Sequence, residues 1–209
     1  MATTPTQAPV TALFLDIGGV MLTNGWDRKS RAAAAKKFDI DLDDLSDRHR
    51  MTFDTYESGK LDLNEYLMRT VFYKDRPFTI DQFRNFMFEQ SEAYPEMIQL
   101  IRDLKAKYGL KIAVVNNEGR ELNQHRIRQF KLYEFVDFFI SSCFVHFRKP
   151  DADIWKVAMD IAQVPKENAV YIDDRLMFVQ VAQGLGLRGI NHKTYEQTKA
   201  QLAELGLGL

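Results

Sequence analysis

Cysteine is nearly absent from this 209-residue chain, with Cys143 the single one. That excludes an internal disulfide framework and a cysteine-based zinc cluster, and it fits a reducing, cytoplasmic setting in which Cys143, among apolar neighbours, is a small core residue. No stretch reaches the roughly 18 consecutive apolar residues that a membrane-spanning helix needs. The opening "MATTPTQAP" has neither the basic start nor the hydrophobic run of a signal peptide, so residues 1–9 read as a flexible polar tail. A charge excess is missing too: 28 basic and 29 acidic side chains leave a formal net charge of −1. No bulk field draws the chain to nucleic acid or to an anionic membrane, and its partner has to be sought in a site. Internal repeats and low-complexity segments are also lacking.

What is present is a globular composition, 45% hydrophobic, with a distinct rhythm. Short apolar runs, "ALFLD", "KIAVVN", "FFIS", "AVYID" and "LRGI", alternate with helical patterns near Glu96–Tyr108, Arg120–Phe130, Ala152–Ala162, Leu176–Gly184 and Tyr195–Leu205. Alternation of this kind predicts an α/β fold with a Rossmann-like parallel sheet. The Gly-containing stops "YGLK" and "LGLR" end helices just before strands. Between the first two strands the rhythm breaks, because far more chain intervenes than one crossover helix requires. From Asp27 to about Ser91 apolar residues recur at three- and four-residue spacing, as in "DRKSRAAAAKKF", "NEYLMRTVF" and "IDQFRNFMFEQ". We therefore expect a core of residues 1–22 and 96–209 and an α-helical cap of residues 23–95, with Pro95 in the first turn of the helix that re-enters the core.

In doubly wound sheets ligands bind outside the carboxyl ends of the strands. The polar residues there are Asp16 after the first strand, Asn116 and Asn117 after the second, Lys149 after the third, and Asp173 with Asp174 after the fourth. Converging carboxylates are costly unless a cation neutralises them, and an all-oxygen ligand set suits Mg²⁺. Taken singly, each residue has a plainer reading. Asp16 could cap a turn, Asp174 could cap the helix near Leu176, and the two asparagines could satisfy backbone groups.

In order, and with the helical insert after the first, "FLDIGGVML", "AVVNNEGREL", "FRKPDADIWKVAM" and "VYIDDRLMFVQVAQGLGL" resemble the haloacid dehalogenase (HAD) superfamily of hydrolases. Within it the chain is similar to helical-cap phosphatases near the glucose-1-phosphate phosphatase and epoxide hydrolase N-domain branch. The resemblance implies Mg²⁺-dependent hydrolysis of a small phosphorylated metabolite, sugar phosphate-like. Asp16 would be the nucleophile that forms an aspartyl-phosphate. Lys149 would offset charge on the nucleophile and the phosphoryl group. Asp16, the Gly18 carbonyl and Asp174 would hold the metal, with Asp173 in support. Gly18, Gly19, Asn116, Asn117 and Lys149 would contact the phosphate. The cap would select the ester, with Trp26, His49, Arg50, Glu57 and Lys60 as candidates to face the crevice and His146 nearby on the core.

Three positions depart from the family pattern. Asn116 stands where a Ser or Thr hydroxyl is usual, and Phe178 where Asn or Asp ties the metal loop to the lysine. Gly18 stands where most relatives carry the acid that protonates the leaving alcohol, help worth about 10²–10⁴-fold. Three readings follow: a slow phosphatase in which water, substrate or a cap group replaces that acid, a catalytically silent protein that binds Mg²⁺ and a phosphometabolite, or dehalogenase-type chemistry.

Overall fold

Five strands, β1 (Ala12–Leu15), β2 (Lys111–Asn116), β3 (Phe138–Ser141), β4 (Ala169–Asp173) and β5 (Arg188–Asn191), form one parallel sheet in the order β3-β2-β1-β4-β5. The computed structural model describes residues 8–209, so most of the expected tail, residues 1–7, lies outside it. Side chains alternate across a strand, and β1 shows both faces in use. Leu13 and Leu15 join one apolar cluster with Leu100, Ile101 and Leu104, while Ala12 and Phe14 join another with Trp155 and Ala158. A sheet covered on both faces explains why its strands read as continuous apolar runs rather than alternating ones.

Ten helices accompany the sheet among the described residues. Four of them, α1 (Arg28–Phe38), α2 (Leu42–Glu57), α3 (Leu63–Thr70) and α4 (Ile80–Glu89), lie between β1 and β2. Their starts are set by side-chain caps: Asp27, Asp41, Asp62 and Thr79 each accept from the first turn, and the last two form reciprocal capping boxes with Glu65 and Gln82. This insert has its own apolar cluster, built largely of Tyr66, Leu67, Phe83, Phe86 and Met87. The remaining helices are α5 (Pro95–Tyr108), α6 (Arg120–Gln129), the single turn α7 (Ser142–Val145), α8 (Asp153–Ala162), α9 (Leu176–Gly184) and α10 (Tyr195–Glu204). Pro95 does begin α5.

The two chain crossings into the insert are stitched together. Thr23 N donates to Glu92 O at 2.8 Å, Glu92 N donates back to Thr23 Oγ1 at 3.0 Å, and Leu22 bridges Ala93. The insert also meets the sheet across the crevice. Ser142 Oγ donates to Glu57 O at 2.6 Å, and Arg148 pairs with Glu57 at 2.6 Å and with Asp54 at 2.8 Å. Gly119, at the start of α6, has no room for a Cβ because the Tyr56 ring of the insert lies on it.

Candidate active site

With strand order β3-β2-β1-β4-β5, the chain winds outward in opposite directions from β1, and the crevice opens at the carboxyl ends of β1 and β4. Asp16 follows β1 directly and Asp173 ends β4. The register pairs Leu15 with Ile172, so the next residues of each strand emerge side by side. Oxygens of Asp16, Asp173 and Asp174 lie within 4.8 Å of one another, the one such carboxylate group among the described residues.

These three acids are not equivalent. Asp173 is fully buried and already committed: one oxygen takes the Arg175 N–H at 2.7 Å, the other takes Lys149 Nζ at 2.7 Å and the Tyr171 hydroxyl. Asp174 keeps its Oδ1 buried without any hydrogen-bond partner. Such an oxygen is costly to bury unless something positive meets it. Its other oxygen lies so close to Gly19 that a Cβ there would collide with it, and Gly19 also has a left-handed φ of 71°. Glycine is therefore required at Gly19 on two grounds. Asp16 sits between: Oδ1 accepts from Ile17 N at 2.8 Å and Oδ2 faces Lys149 Nζ at 3.3 Å. Burial pushes the Asp16 carboxyl up to about 7 despite Lys149, with Asp173 and Asp174 adding to the rise. An uncompensated acid cluster behaves this way, and the donor set, carboxylates with one oxygen unpartnered, fits a hard divalent cation such as Mg²⁺.

Lys149 is 1% exposed, which a lysine tolerates only when its ammonium is fully engaged. Asp16, Asp173 and the Tyr171 hydroxyl at 3.1 Å engage it, and the Phe178 ring lies 5.0 Å from Nζ. Phe178, which the sequence pattern marks as a gap in the support of the lysine, instead offers an aromatic face. The tie expected from Asn or Asp at that position comes from Tyr171, two residues before Asp173 on the same face of β4. Asn117 fixes the backbone on the other side: its Nδ2 donates to Lys149 O and its Oδ1 accepts from Lys149 N, both at 2.8 Å.

Asn116 and Gly19 sit differently from a simple phosphate-donor role. The Asn116 amide nitrogen donates to Asn123 Oδ1 at 3.0 Å, leaving its own Oδ1 buried without a partner. The Gly19 N–H donates to Leu22 O at 2.7 Å. Gly18 lines the crevice, and a Cβ built on it would come within 2.9 Å of Asn24 Oδ1. Asn24, unmarked in the sequence, thus stands where a longer residue at Gly18 would go.

The crevice is a cavity of about 250 Å³ between the sheet and the insert. Trp26, His49 and Glu57 line it as expected, together with Arg31, Phe53, Tyr56 and Glu118. Arg50, Lys60 and His146 do not. Arg50 pairs with Asp47 on the outer face of α2, Lys60 is exposed, and exposed His146 contacts Ser58 O at 2.8 Å. Near the crossing a buried pair, Arg126 and Glu118 at 2.8 Å, ties α6 to Thr23 through a 2.5 Å bond from Arg126 Nη2 to Thr23 O. Burial raises the Glu118 carboxyl against the pull of Arg126. Cys143 is buried, and among the described residues no helix is long and apolar enough to cross a membrane.

A family model described as haloacid dehalogenase-like hydrolase matches residues 10–186. The chain is 24% identical over 165 residues to a chloroplast flavin mononucleotide hydrolase of Arabidopsis thaliana, covering 79% of this chain and 66% of that protein. It is 23% identical over 123 residues to a protein of Caldanaerobacter subterraneus named as a pyrophosphatase, covering 57% of this chain and 56% of that one. The matches thus span between half and two thirds of these relatives' lengths. Among solved structures, a HAD family enzyme of Bacteroides thetaiotaomicron superimposes with a TM-score of 0.76 at 19% identity, covering 89% of this chain and 95% of that one. The same enzyme has been solved in complex with magnesium and inorganic phosphate; that structure gives a TM-score of 0.73 at 19% identity, covering 88% and 94% of the two chains.

Proposed function

The chain belongs to the haloacid dehalogenase-like hydrolases, and on that premise we propose that it hydrolyses small phosphate monoesters through an aspartyl-phosphate on Asp16. One observation carries the reading: Asp16 lies between a buried ammonium, Lys149 at 3.3 Å, and Asp174, whose Oδ1 has no partner. A nucleophilic carboxylate and a fixed cation on one side of a phosphoryl group are what in-line transfer requires. The phosphatase-type names of the relatives and the magnesium and phosphate bound to the Bacteroides enzyme support it.

Asp16, Asp174 and the Gly18 carbonyl would hold Mg²⁺, which would polarise the phosphoryl oxygens and offset their charge. The Asp16 carboxylate attacks phosphorus, the P–O bond to the alcohol breaks, and the departing alkoxide takes a proton from water. Water then attacks the acyl phosphate at phosphorus, releasing inorganic phosphate and restoring the carboxylate. Lys149, pinned by Asp173 and Tyr171, stabilises the charge that grows on the phosphoryl oxygens. Asn117 holds the lysine loop. The insert acts as a cap that keeps bulk water from the reacting centre.

Gly18 supplies no acid, so both proton transfers fall to water, to the substrate or to a group of the cap, and turnover is slow. The test is release of inorganic phosphate from a panel of small phosphomonoesters with and without Mg²⁺. We expect slow, metal-dependent release that Asp16→Asn abolishes with the fold intact; release that survives the substitution overturns the mechanism.

A further inference from the structure

We propose that the cap side of the cavity, centred on Arg31 and His49, binds a second anionic group of the substrate, so that the ester carries a carboxylate or another phosphoryl group on its leaving side. The inference rests on the phosphatase reading and narrows its substrate class. It starts from which charges in the cavity are already used. Lys149 is paired with Asp16 and Asp173, Arg126 with Glu118, and Arg148 with Glu57 and Asp54. Arg28, Arg31 and Arg175 line the same cavity and form no ion pair among the described residues, but Arg28 and Arg175 are exposed and only Arg31 is half-buried. Its Nη1 donates to Trp26 O at 2.7 Å, which fixes the guanidinium, and its buried Nε has no partner. The nearby acids are committed elsewhere: Asp27 accepts from Ser30 N at the start of α1, and Glu57 holds Arg148.

His49 adds a second donor through a fixed proton order. Trp26 Nε1 has only a proton to give and donates it to Tyr66 Oη at 2.9 Å. The Tyr66 hydroxyl is within 2.8 Å of His49 Nδ1, the acceptor for its own proton. That assigns the imidazole proton to Nε2 and makes the cavity-lining ring a neutral donor. Burial, with the positive charges of Arg31 and Arg148 adding to it, holds His49 down to about 3, so it stays neutral across the working pH range. Phe53 stacks on the ring at 5.0 Å and keeps it in place. A fixed guanidinium beside a neutral N–H donor offers donors without acceptors, which suits an oxyanion.

Calorimetry on the full chain with Mg²⁺ tests this, using ω-phosphonocarboxylates and alkane bisphosphonates of increasing length against alkylphosphonates of the same length. At the best length, we expect the doubly anionic ligand to bind at least about ten-fold more tightly, the size of one charge-assisted hydrogen bond. The carboxylate and phosphonate arms then show which group the site takes. Arg31→Met should remove that preference without changing alkylphosphonate affinity. Because Arg31 also holds Trp26 O, Arg31→Lys serves as the fold-preserving control and should keep part of the preference. Equal affinity at every length, a preference that survives Arg31→Met, or no binding of any ligand overturns the proposal. Turnover of the alkyl phosphates is measured separately: its absence with the binding preference intact sinks the phosphatase reading and leaves the anion site standing.

Discussion

The two walls of the crevice are built on opposite plans. On the sheet side the cation and its supports are committed, Lys149 to three oxygens, Asn117 to the Lys149 backbone, Asp173 to a lysine, a tyrosine and a backbone N–H, and two acceptor oxygens, Asp174 Oδ1 and Asn116 Oδ1, stay without a partner. On the cap side the structure is held by aromatic packing, with Phe83 in contact with Trp26, Phe38, Phe72 and Phe78, and the polar side chains at its cavity edge retain free donors. A wall whose groups are fixed in advance suits a reaction common to many esters. One with unclaimed donors suits discrimination among them.

Substitutions should break this contrast in a graded way. Asp16→Asn removes the nucleophile and is expected to lower turnover by at least about 10³-fold, read as phosphate release, with an unchanged circular dichroism spectrum. Lys149→Met leaves Asp16 and Asp173 buried without their cation and should cost about 3–5 kcal/mol, read by denaturant unfolding in the absence of metal. Phe83→Ala should cost a similar ~3–5 kcal/mol, but confined to the cap. Limited proteolysis should then cut between Asp27 and Ser91 while the sheet stays resistant; simultaneous loss of both would show that the two walls fold as one.

A finer test concerns Gly18. The atom nearest to an added Cβ is the end of the Asn24 side chain, which can rotate away. Gly18→Asp is therefore expected to raise turnover by roughly ten-fold, within the range of general acid catalysis, and Asn24→Ala should enlarge the gain. A fall in both variants would count against proton transfer as the deficit. A pH-resolved test concerns His49. Its folded value of about 3 lies below the ordinary 6.5, so between the two the unfolded chain binds more protons. The His49 contribution to stability is lost as pH drops from about 6.5 toward 3, opposite in sign to that of the raised Asp16 and Glu118 carboxyls, so thermal unfolding should show His49→Gln gaining relative to the parent chain across that window.

The sheet side was the more legible from sequence for a physical reason. Asp16, Asn117, Lys149 and Asp173 end apolar strands or sit in the loops that follow them, and strand ends in a parallel sheet converge whatever the details of packing. Tyr171 was missed although the two-residue period of β4 places it beside Asp173. Phe178 was read as a loss because the pattern concerns Asn or Asp, and an aromatic face can serve an ammonium as well. On the cap, helical periodicity shows which residues are apolar but not how four short helices cross. Trp26, His49 and Glu57 therefore reach the cavity while Arg50 and Lys60 do not, and Arg31 and Asn24 carry no local signal at all.

The paired bonds between Thr23 and Glu92 make the cap a transplantable unit. Its two ends leave the core as hydrogen-bonded neighbours, so removing it would create a gap that only a few residues need span, with no strand of the sheet disturbed. The same closeness leaves room for insertion: a differently shaped lid could be grafted at Thr23 and Glu92 without disturbing a strand, provided it restores the partners that Asp54 and Glu57 give Arg148 beside Lys149. On the proposed function, recognition and reaction would then sit on separable stretches of one chain.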